Sequence, residues 1–194
     1  MGTSLVVGLR NPGARYQGTR HNLGAQVVSI VADRIGASFG RAPRFMRAEV
    51  VETRIGTARV VLARPSTFMN ESGQAVAPLL RYYDTSLDRL LVVHDEIDLD
   101  LGKLRVHHDR GSGGNNGVSS IIRTIGRDFW RLRCGVGRPP GSRNPADYVL
   151  ERFGSREQAE ADLAMQLAAD LVELFVTGGG EAARQRAGEL NRED

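Results

Sequence analysis

The chain has 194 residues, of which 41% are apolar, 25% charged and 6% aromatic, and it contains a single cysteine. A chain of this length can bury about 70% of its unfolded surface, which is enough for a core without disulfides or structural metal. The lone Cys134 excludes an intramolecular disulfide. No run approaches the length of a transmembrane helix, and the first ten residues lack the basic flank of a secretory signal. We therefore predict one domain over residues 1–194, without a membrane span, in the reducing cytoplasm.

The charge is unevenly distributed along the chain, although the net charge is only +3. Residues 1–64 carry ten Arg against three carboxylates, and residues 103–143 carry nine cations against two, so each block has a net charge of +7. Residues 65–102 and 144–194 are acidic, at −5 and −6. If the fold joins the two basic blocks, they form a patch that could hold a polyanion. The alternative is a set of arginines scattered over a solvated surface.

The first half of the chain predicts alternating strands and helices. A short apolar run over 5–9, ended by a Pro-Gly turn, predicts a buried strand. Apolar residues at helical spacing over 23–31 predict a helix, with Asn22 as its N-cap. Two β-branched segments joined by a turn predict a hairpin over 45–63, and a second helix is predicted over 71–83.

The second half continues this alternation. Its predicted elements are a fully apolar strand over 90–93, a strand over 103–107, a helix over 118–125, a strand over 131–136 and a long helix over 163–174 that ends at three glycines. The polar tail after about Ala187 is predicted to fray. The pattern predicts an α/β fold, a three-layer α/β/α sandwich around a mixed, partly parallel sheet.

Candidate catalytic side chains follow the two apolar strands, where open α/β sheets bind ligands. Asn11 follows the first strand and Asp95 the strand over 90–93. His21 is the best candidate for an acid or base, because its ordinary pKa lies near neutrality. A carboxylate at Asp95 could hold the imidazole in one tautomer. The alternative is that His21 and Asp95 are a capping residue and a turn residue.

Other hydrolytic chemistries have weaker support in the sequence. There is no Gly-x-Ser-x-Gly elbow, and Cys134 lies inside a predicted strand, so water is the expected nucleophile. The adjacent His107 and His108 would point to opposite faces of a strand. The acidic segment 95–100 could chelate a cation as in two-metal nucleases, although its alternation with apolar residues suits a short extended turn.

A glycine-rich segment over 111–117 precedes a predicted helix. Such a segment can cradle a phosphate with its backbone N–H groups, although the Gly-Lys-Ser/Thr of a Walker loop is missing. A flexible loop is the alternative. Basic residues on the flanking predicted strands could grip a phosphate or form an ordinary solvated face; they are Lys103, Arg105, Arg131 and Arg133.

Several motifs of the chain occur together. They are Val7-Gly8-Leu9-x-Asn11-Pro12-Gly13-x-x-Tyr16-x-x-Thr19-Arg20-His21-Asn22-x-Gly24, Pro65-x-Thr67-Phe68-Met69-Asn70-x-Ser72-Gly73, Asp95-Glu96-x-Asp98-Leu99, Gly113-Gly114-x-Asn116-Gly117, Arg131-Leu132-Arg133-x-Gly135-x-Gly137-Arg138-Pro139 and Asp147-Tyr148-Val149-Leu150. These motifs closely resemble those of the bacterial-type peptidyl-tRNA hydrolases, and they occur in the family's order from about residue 4 to 153.

The resemblance implies a monomeric, metal-free and cofactor-free enzyme that hydrolyses the ester between a peptide and the 3′-terminal ribose of tRNA, so that the tRNA can be reused in translation. It implies no membrane and no obligatory protein partner. The implied catalytic set is His21 as the base, Asp95 as its orienting partner, and Asn11. The implied substrate- and tRNA-binding residues are Tyr16, Phe68, Met69, Asn70, Gly113, Gly114, Asn116, Lys103, Arg105 and Arg133.

Two positions depart from the family pattern. Asn115 stands where the family usually has His, and His107 occupies a position that is usually basic. We expect both changes to affect how tRNA is bound, because a neutral imidazole is a poorer phosphate partner than Lys.

Two other functions remain open on the same residues. One is an RNA-binding module that has lost catalysis, and the other is a metal-dependent phosphoesterase that a chelator would inhibit.

Overall fold

The computed structural model describes residues 2–192, and its central feature is one mixed β-sheet. Within that range the strands are β1 (Ser4–Gly8), β2 (Gly40–Arg41), β3 (Ala48–Ile55), β4 (Ala58–Pro65), β5 (Leu90–Glu96), β6 (Leu104–His108) and β7 (Trp130–Gly135), in the spatial order β2-β3-β4-β1-β5-β7-β6. The four central strands β4, β1, β5 and β7 run parallel. The outer strands pair antiparallel, β2 with β3, β3 with β4, and β6 with β7.

The helices cover both faces of this sheet. They are α1 (Leu23–Arg34), α2 (Gly73–Tyr82), α3 (Asn116–Ile125), α4 (Pro145–Tyr148), α5 (Gln158–Gly178) and α6 (Gly180–Leu190). Short 3-10 turns over Arg20–Asn22 and Met69–Glu71 lead into α1 and α2. No described helix combines the length and apolarity that a bilayer crossing requires.

Alternate residues of the central strands enter two separate cores. Val6 of β1 packs in the core with α1, α5 and α6, whereas its neighbours Leu5 and Val7 pack in the core with α2 and α3. Strand β5 divides in the same way, with Val93 on the first side and Val92 on the second. Both faces are apolar because both are covered by helices. This confirms the predicted three-layer α/β/α sandwich with a mixed sheet.

Two glycines allow helix α1 to lie directly against the sheet. A Cβ atom at Gly24 would lie 2.1 Å from the carbonyl oxygen of Val93, and one at Gly8 would lie 2.3 Å from the carbonyl oxygen of Gly24. Side chains at either position would therefore push the helix away. The close packing brings the loop before α1, which carries His21, to the carboxyl end of β5.

The C-terminal segment differs from the sequence prediction. Helix α6 was not predicted, and the expected fraying after about residue 187 is wrong up to residue 191. Ala183 and Ala187 are buried, and the Asn191 side chain accepts a hydrogen bond from the Leu104 amide at 3.2 Å and donates one to its carbonyl at 2.7 Å. Polar composition suggested a tail, but its small alanines form one apolar face that packs onto β6. Residues 193 and 194 lie outside the described range.

Candidate active site

A cleft of about 560 Å³ opens at the carboxyl ends of β1 and β5, the edge at which the sequence predicts ligand binding. Six separate segments of the chain contribute to it. The lining residues are Asn11, His21, Met69, Asn70, Asp95, Glu96, Ile97, Gly113, Gly114, Asn115, Asn116, Asn144, Pro145, Ala146, Val149 and Leu150.

His21 and Asp95 are in direct contact in the wall of the cleft. Nδ1 of His21 lies 2.9 Å from both carboxylate oxygens of Asp95. The two side chains are largely buried, with residue exposures of 9% for His21 and 3% for Asp95. Burial acts to lower the pKa of His21, but the charge and hydrogen bond of Asp95 outweigh it and raise the pKa above 6.5. With Nδ1–H donated to the carboxylate, Nε2 of the neutral ring is the basic nitrogen.

A second segment of the chain is tied to the turn that carries His21. The backbone amide of His21 donates to the carbonyl of Val149 at 2.8 Å, and Nη1 of the buried Arg20 donates to the carbonyl of Arg152 at 2.8 Å. The same guanidinium pairs with Glu157 at 2.7 Å. These contacts place Val149 and its neighbours in the wall of the cleft. Sequence reasoning did not assign residues 144–146 and 149–150 to the site, although residues 147–150 form one of the motifs quoted above.

Asn11 is held by a second asparagine. Oδ1 of Asn22 accepts from the Asn11 amide at 2.8 Å, and Nδ2 of Asn22 donates to the Asn11 carbonyl at 2.9 Å. Asn22 is the N-cap residue of α1, as predicted, but its side chain makes no cap hydrogen bond to the helix and binds Asn11 instead. Oδ1 of Asn11 accepts from the Met69 amide at 2.8 Å, which leaves the Nδ2 hydrogens of Asn11 to face a ligand.

Asn115 connects the glycine-rich loop to Asp95. Its Oδ1 caps helix α3 by accepting from the amides of Gly117 and Val118 at 3.0 and 3.1 Å. Its Nδ2 donates to Oδ1 of Asp95 at 3.0 Å. A residue that the sequence marked only as a departure is thus part of the wall, and Asn116, the first residue of α3, lines the cleft beside it.

A sequence model of the family described as peptidyl-tRNA hydrolase matches residues 5–193. The chain belongs to the peptidyl-tRNA hydrolase family. It is 48% identical over 183 residues to the peptidyl-tRNA hydrolase of Mycobacterium marinum, covering 94% of this chain and 95% of that relative. It is 46% identical over 185 residues to that of Rhodococcus erythropolis, covering 95% and 97%. The crystal structure of peptidyl-tRNA hydrolase from Acinetobacter baumannii superposes with a TM-score of 0.89 at 36% identity, covering 95% of this chain and 93% of that one.

Of the basic residues that the peptidyl-tRNA hydrolase resemblance implied for tRNA binding, Arg133 contacts the lining of the cleft. Arg133 makes a bidentate pair with Oε2 of Glu96, at 3.0 and 2.8 Å, and Glu96 lines the cleft at 2% exposure. Arg105 lies opposite Arg133 in the β6–β7 ladder, so both side chains are on the same face. Lys103 comes just before β6. Arg105 and Arg133 thus lie on one face of the sheet, whereas Arg131, the fourth basic candidate on the flanking strands, is buried and donates to the Gly111 carbonyl.

His107 lies opposite Arg131 in the ladder, on the same face as Arg105 and Arg133, which we call the basic face of β6 and β7. Burial and the positive charges around it, that of Arg133 first, lower the pKa of His107 to about 4. At neutral pH this side chain is uncharged. At a position that the resemblance implied to be basic, this chain therefore presents a neutral imidazole that can donate or accept a hydrogen bond.

Besides the three basic residues, two further predicted binding residues, Tyr16 and Phe68, lie outside the cleft lining. Tyr16 was expected in the cleft wall, but it ends a solvent-facing 3-10 turn after Gly13, and the Arg15 guanidinium lies 4.4 Å from its ring centre. Phe68 is 53% exposed. Its neighbour Met69 is buried and lines the cleft, and the chain reversal there turns the two adjacent side chains in different directions.

The acidic segment after β5 is held by arginines. Glu96 pairs with Arg133, and Asp98 accepts from Nε of Arg138 at 2.8 Å. Among residues 2–192, no three His, Cys, Asp or Glu side chains come together in a group that could hold a metal ion. Two of the carboxylates that suggested a two-metal site, Glu96 and Asp98, thus serve as partners for arginines of the chain itself.

Proposed function

We propose that this peptidyl-tRNA hydrolase cleaves the ester between the peptide and the 3′-terminal ribose of peptidyl-tRNA by means of a water molecule activated by His21. The observation that carries this mechanism is the contact of His21 Nδ1 with Asp95 at 2.9 Å in the wall of the cleft. The contact sets one tautomer and leaves Nε2 as a base. Asp95 also stabilises the imidazolium that forms when the base accepts a proton.

The reaction needs one proton acceptor that later becomes a donor. Nε2 of His21 takes a proton from water as the water oxygen attacks the ester carbonyl. The tetrahedral oxyanion then collapses, the carbon–oxygen bond to the ribose breaks, and the imidazolium returns the proton to the leaving oxygen. The products are the free peptide acid and tRNA. An ester has a better leaving group than an amide, so a general base, which contributes about 10²- to 10⁴-fold, suits this step.

Amide donors in the cleft complete the site. Nδ2 of Asn11 is the best placed donor to a developing oxyanion. The Met69 amide donates a hydrogen bond to Oδ1 of the same side chain, so the NH₂ group of Asn11 is the end that faces the cleft. One such donor is worth about 3 to 4 kcal/mol in other hydrolases. Gly113 and Gly114 border the same space.

Recognition of the substrate divides between two surfaces. The peptide differs from one substrate to the next, so we assign binding of the peptide backbone to Asn70 and Asn116, whose side-chain amides both donate and accept hydrogen bonds. Met69 provides an apolar wall of the cleft. Binding of the tRNA backbone is assigned to Lys103, Arg105 and Arg133. The proposal includes a monomeric, single-domain, cytoplasmic enzyme that acts without a cofactor, a membrane or a protein partner.

The test is single-turnover release of tRNA from an N-blocked aminoacyl-tRNA and from the same aminoacyl-tRNA with a free amine, in excess chelator. We expect rapid cleavage of the blocked substrate only. If both substrates bind and neither is cleaved, the chain is an RNA-binding relative without catalysis. If chelator abolishes a cleavage seen without it, the reaction depends on a metal and the proposed mechanism fails.

A further inference from the structure

We infer that Asn115 is a positioning residue of the reaction, which holds the Asp95 carboxylate in the orientation that aligns His21. The inference rests on the proposed function, because it concerns the residue behind the proposed base. Nothing in the family resemblance assigned this role to an asparagine. The position was expected instead to alter the gripping of tRNA.

The hydrogen bonds of Asn115 define which end of its amide faces Asp95. The oxygen accepts from two backbone N–H groups, those of Gly117 and Val118, at the start of helix α3. The opposite flip would put the NH₂ group against these two donors and the oxygen against a carboxylate. The helix cap therefore directs Nδ2 to Asp95, at 3.0 Å from its Oδ1.

The Asp95 carboxylate depends on such a donor because it is almost fully buried. A buried carboxylate is costly unless donors satisfy it. His21 Nδ1 is 2.9 Å from each oxygen, so the histidine alone does not fix the rotation of the carboxylate plane. The Asn115 amide adds a donor to one oxygen only, and it is itself buried, at 8% exposure. The asymmetry fixes the plane, and with it the direction of the imidazole.

The amide of Asn115 does not change its protonation over the whole working range of pH. Where the family usually has histidine, a titrating group would contact the same carboxylate, whereas Asn115 stays a neutral donor. The other charged or titratable side chains near the pair are Arg20, His94, Glu96, Arg131, Arg133 and Cys134. Burial lowers the pKa of His94 and raises that of Cys134, so both are neutral near pH 7.

Removal of the donor has a definite electrostatic consequence. Oδ1 of Asp95 accepts hydrogen bonds from both Asn115 and His21, so the Asn115 amide disperses part of the carboxylate charge. Without the amide, more of the charge acts on the imidazole, so the pKa of His21 rises further and the active, neutral base forms only at higher pH. A purely structural role for Asn115 would lower stability without moving this midpoint.

The test uses two variants that keep an oxygen to cap helix α3. Asn115→Ser retains a cap acceptor but cannot reach Asp95. Asn115→Asp keeps the size and the cap but replaces the donor with a second carboxylate oxygen. The matched control is Ser120→Ala in the same helix, which removes the hydrogen bond from the Gly73 amide to Ser120 Oγ at 3.0 Å and lies outside the cleft lining.

Single-turnover cleavage of an N-blocked aminoacyl-tRNA is measured from pH 5.5 to 8.5 at saturating enzyme, at a temperature well below the lowest Tm. We expect Asn115→Ser to raise the midpoint by about half a pH unit and to slow the plateau rate about tenfold. Asn115→Asp should raise the midpoint further. Ser120→Ala should lower Tm and keep the wild-type midpoint.

The outcomes separate this inference from the proposed function. An inactive wild type would overturn the function itself. An active wild type, together with Asn115 variants that keep its midpoint and plateau rate, would overturn the positioning role alone. If Asn115→Ser does not fold, Asn115→Asp provides the same comparison, because aspartate is as good an N-cap as asparagine.

Discussion

The side chain of Asn22 holds the main chain of Asn11 at both of its hydrogen-bonding groups, with an amide-to-oxygen distance of 2.8 Å on one side and 2.9 Å on the other. Eleven residues of sequence separate the two. Met69 fixes the remaining oxygen of Asn11, so the proposed oxyanion donor is oriented from three directions. A side chain that the sequence suggested as a helix cap is thus part of the support of the cleft.

This relationship predicts the behaviour of Asn22→Asp. The variant keeps the acceptor for the Asn11 amide but places a carboxylate oxygen against the Asn11 carbonyl, which repels it and displaces the donor. We expect a loss of about 10²-fold in single-turnover rate with little change in tRNA affinity. Gln158→Glu makes the same amide-to-acid change on the exposed start of α5 and should leave the rate unchanged. A wild-type rate for Asn22→Asp would remove Asn22 from the support of Asn11.

The proposed base predicts that His21→Ala separates turnover from binding. Loss of the base should lower the single-turnover rate by about 10²- to 10⁴-fold. Affinity for deacylated tRNA, measured by filter binding, should be retained because the phosphate grip lies on the basic face of β6 and β7. Near-normal turnover in this variant would disprove the assignment of the base.

The raised pKa of His21 predicts the direction of the pH dependence. The neutral imidazole is the active form, so the rate should rise with pH through a midpoint above 6.5. Asp95→Asn removes the charge that raises the pKa, and burial then acts alone, so the midpoint should fall while the plateau rate drops. A flat profile in the wild type, with chemistry rate-limiting, would contradict this.

The same shift has a consequence for stability. The folded protein holds the His21 proton more tightly than the unfolded chain does. The His21–Asp95 pair therefore makes its full contribution to the free energy of unfolding below the unfolded pKa of about 6.5. This contribution is lost as the pH rises through the higher folded pKa. Thermal unfolding of the wild type against Asp95→Asn at pH 5.5 and pH 8.5 measures it.

The basic face predicts salt-dependent binding. Arg105→Ala should reduce the slope of log affinity against log salt by about one phosphate contact, whereas Arg59→Ala on β4 should leave it unchanged. Arg133→Ala should reduce the slope as well and also lower Tm, because it leaves the buried Glu96 carboxylate without its charged partner. An unaltered slope for Arg105 or Arg133 would remove that residue from the phosphate contacts.

The close contact of α1 with the sheet predicts a large effect of a single methyl group. A Cβ atom at Gly24 meets the Val93 carbonyl, so Gly24→Ala should cost about 1 to 3 kcal/mol in the free energy of unfolding and displace the His21 turn. Gly40→Ala, where no atom lies within 4 Å of the added Cβ, is the control. Equal stabilities of the two variants, measured by denaturant unfolding, would contradict the contact.

Local patterns were sufficient for most of the fold and for the central pair. The apolar runs at 5–9 and 90–93 identified the central strands, because a strand covered on both faces must be apolar throughout. His21 and Asp95 were found because each stands beside a recognisable element and in a motif of the family. Tyr16 and Phe68 lie outside the cleft lining, since a motif gives the order of residues along the chain but not the direction in which each side chain turns. Their role in binding the substrate stays a prediction.

The family, the layer order and the identity of the proposed base and its carboxylate could all be predicted from the sequence, since they depend on periodicity and on motifs of adjacent residues. The partners of the polar side chains became clear only in the folded chain. Asn22 turns to Asn11, and Asn115 joins a helix cap to Asp95, because loops distant in sequence meet at one edge of the sheet. An amide can satisfy many partners, and which of them it contacts depends on the packing of the whole chain.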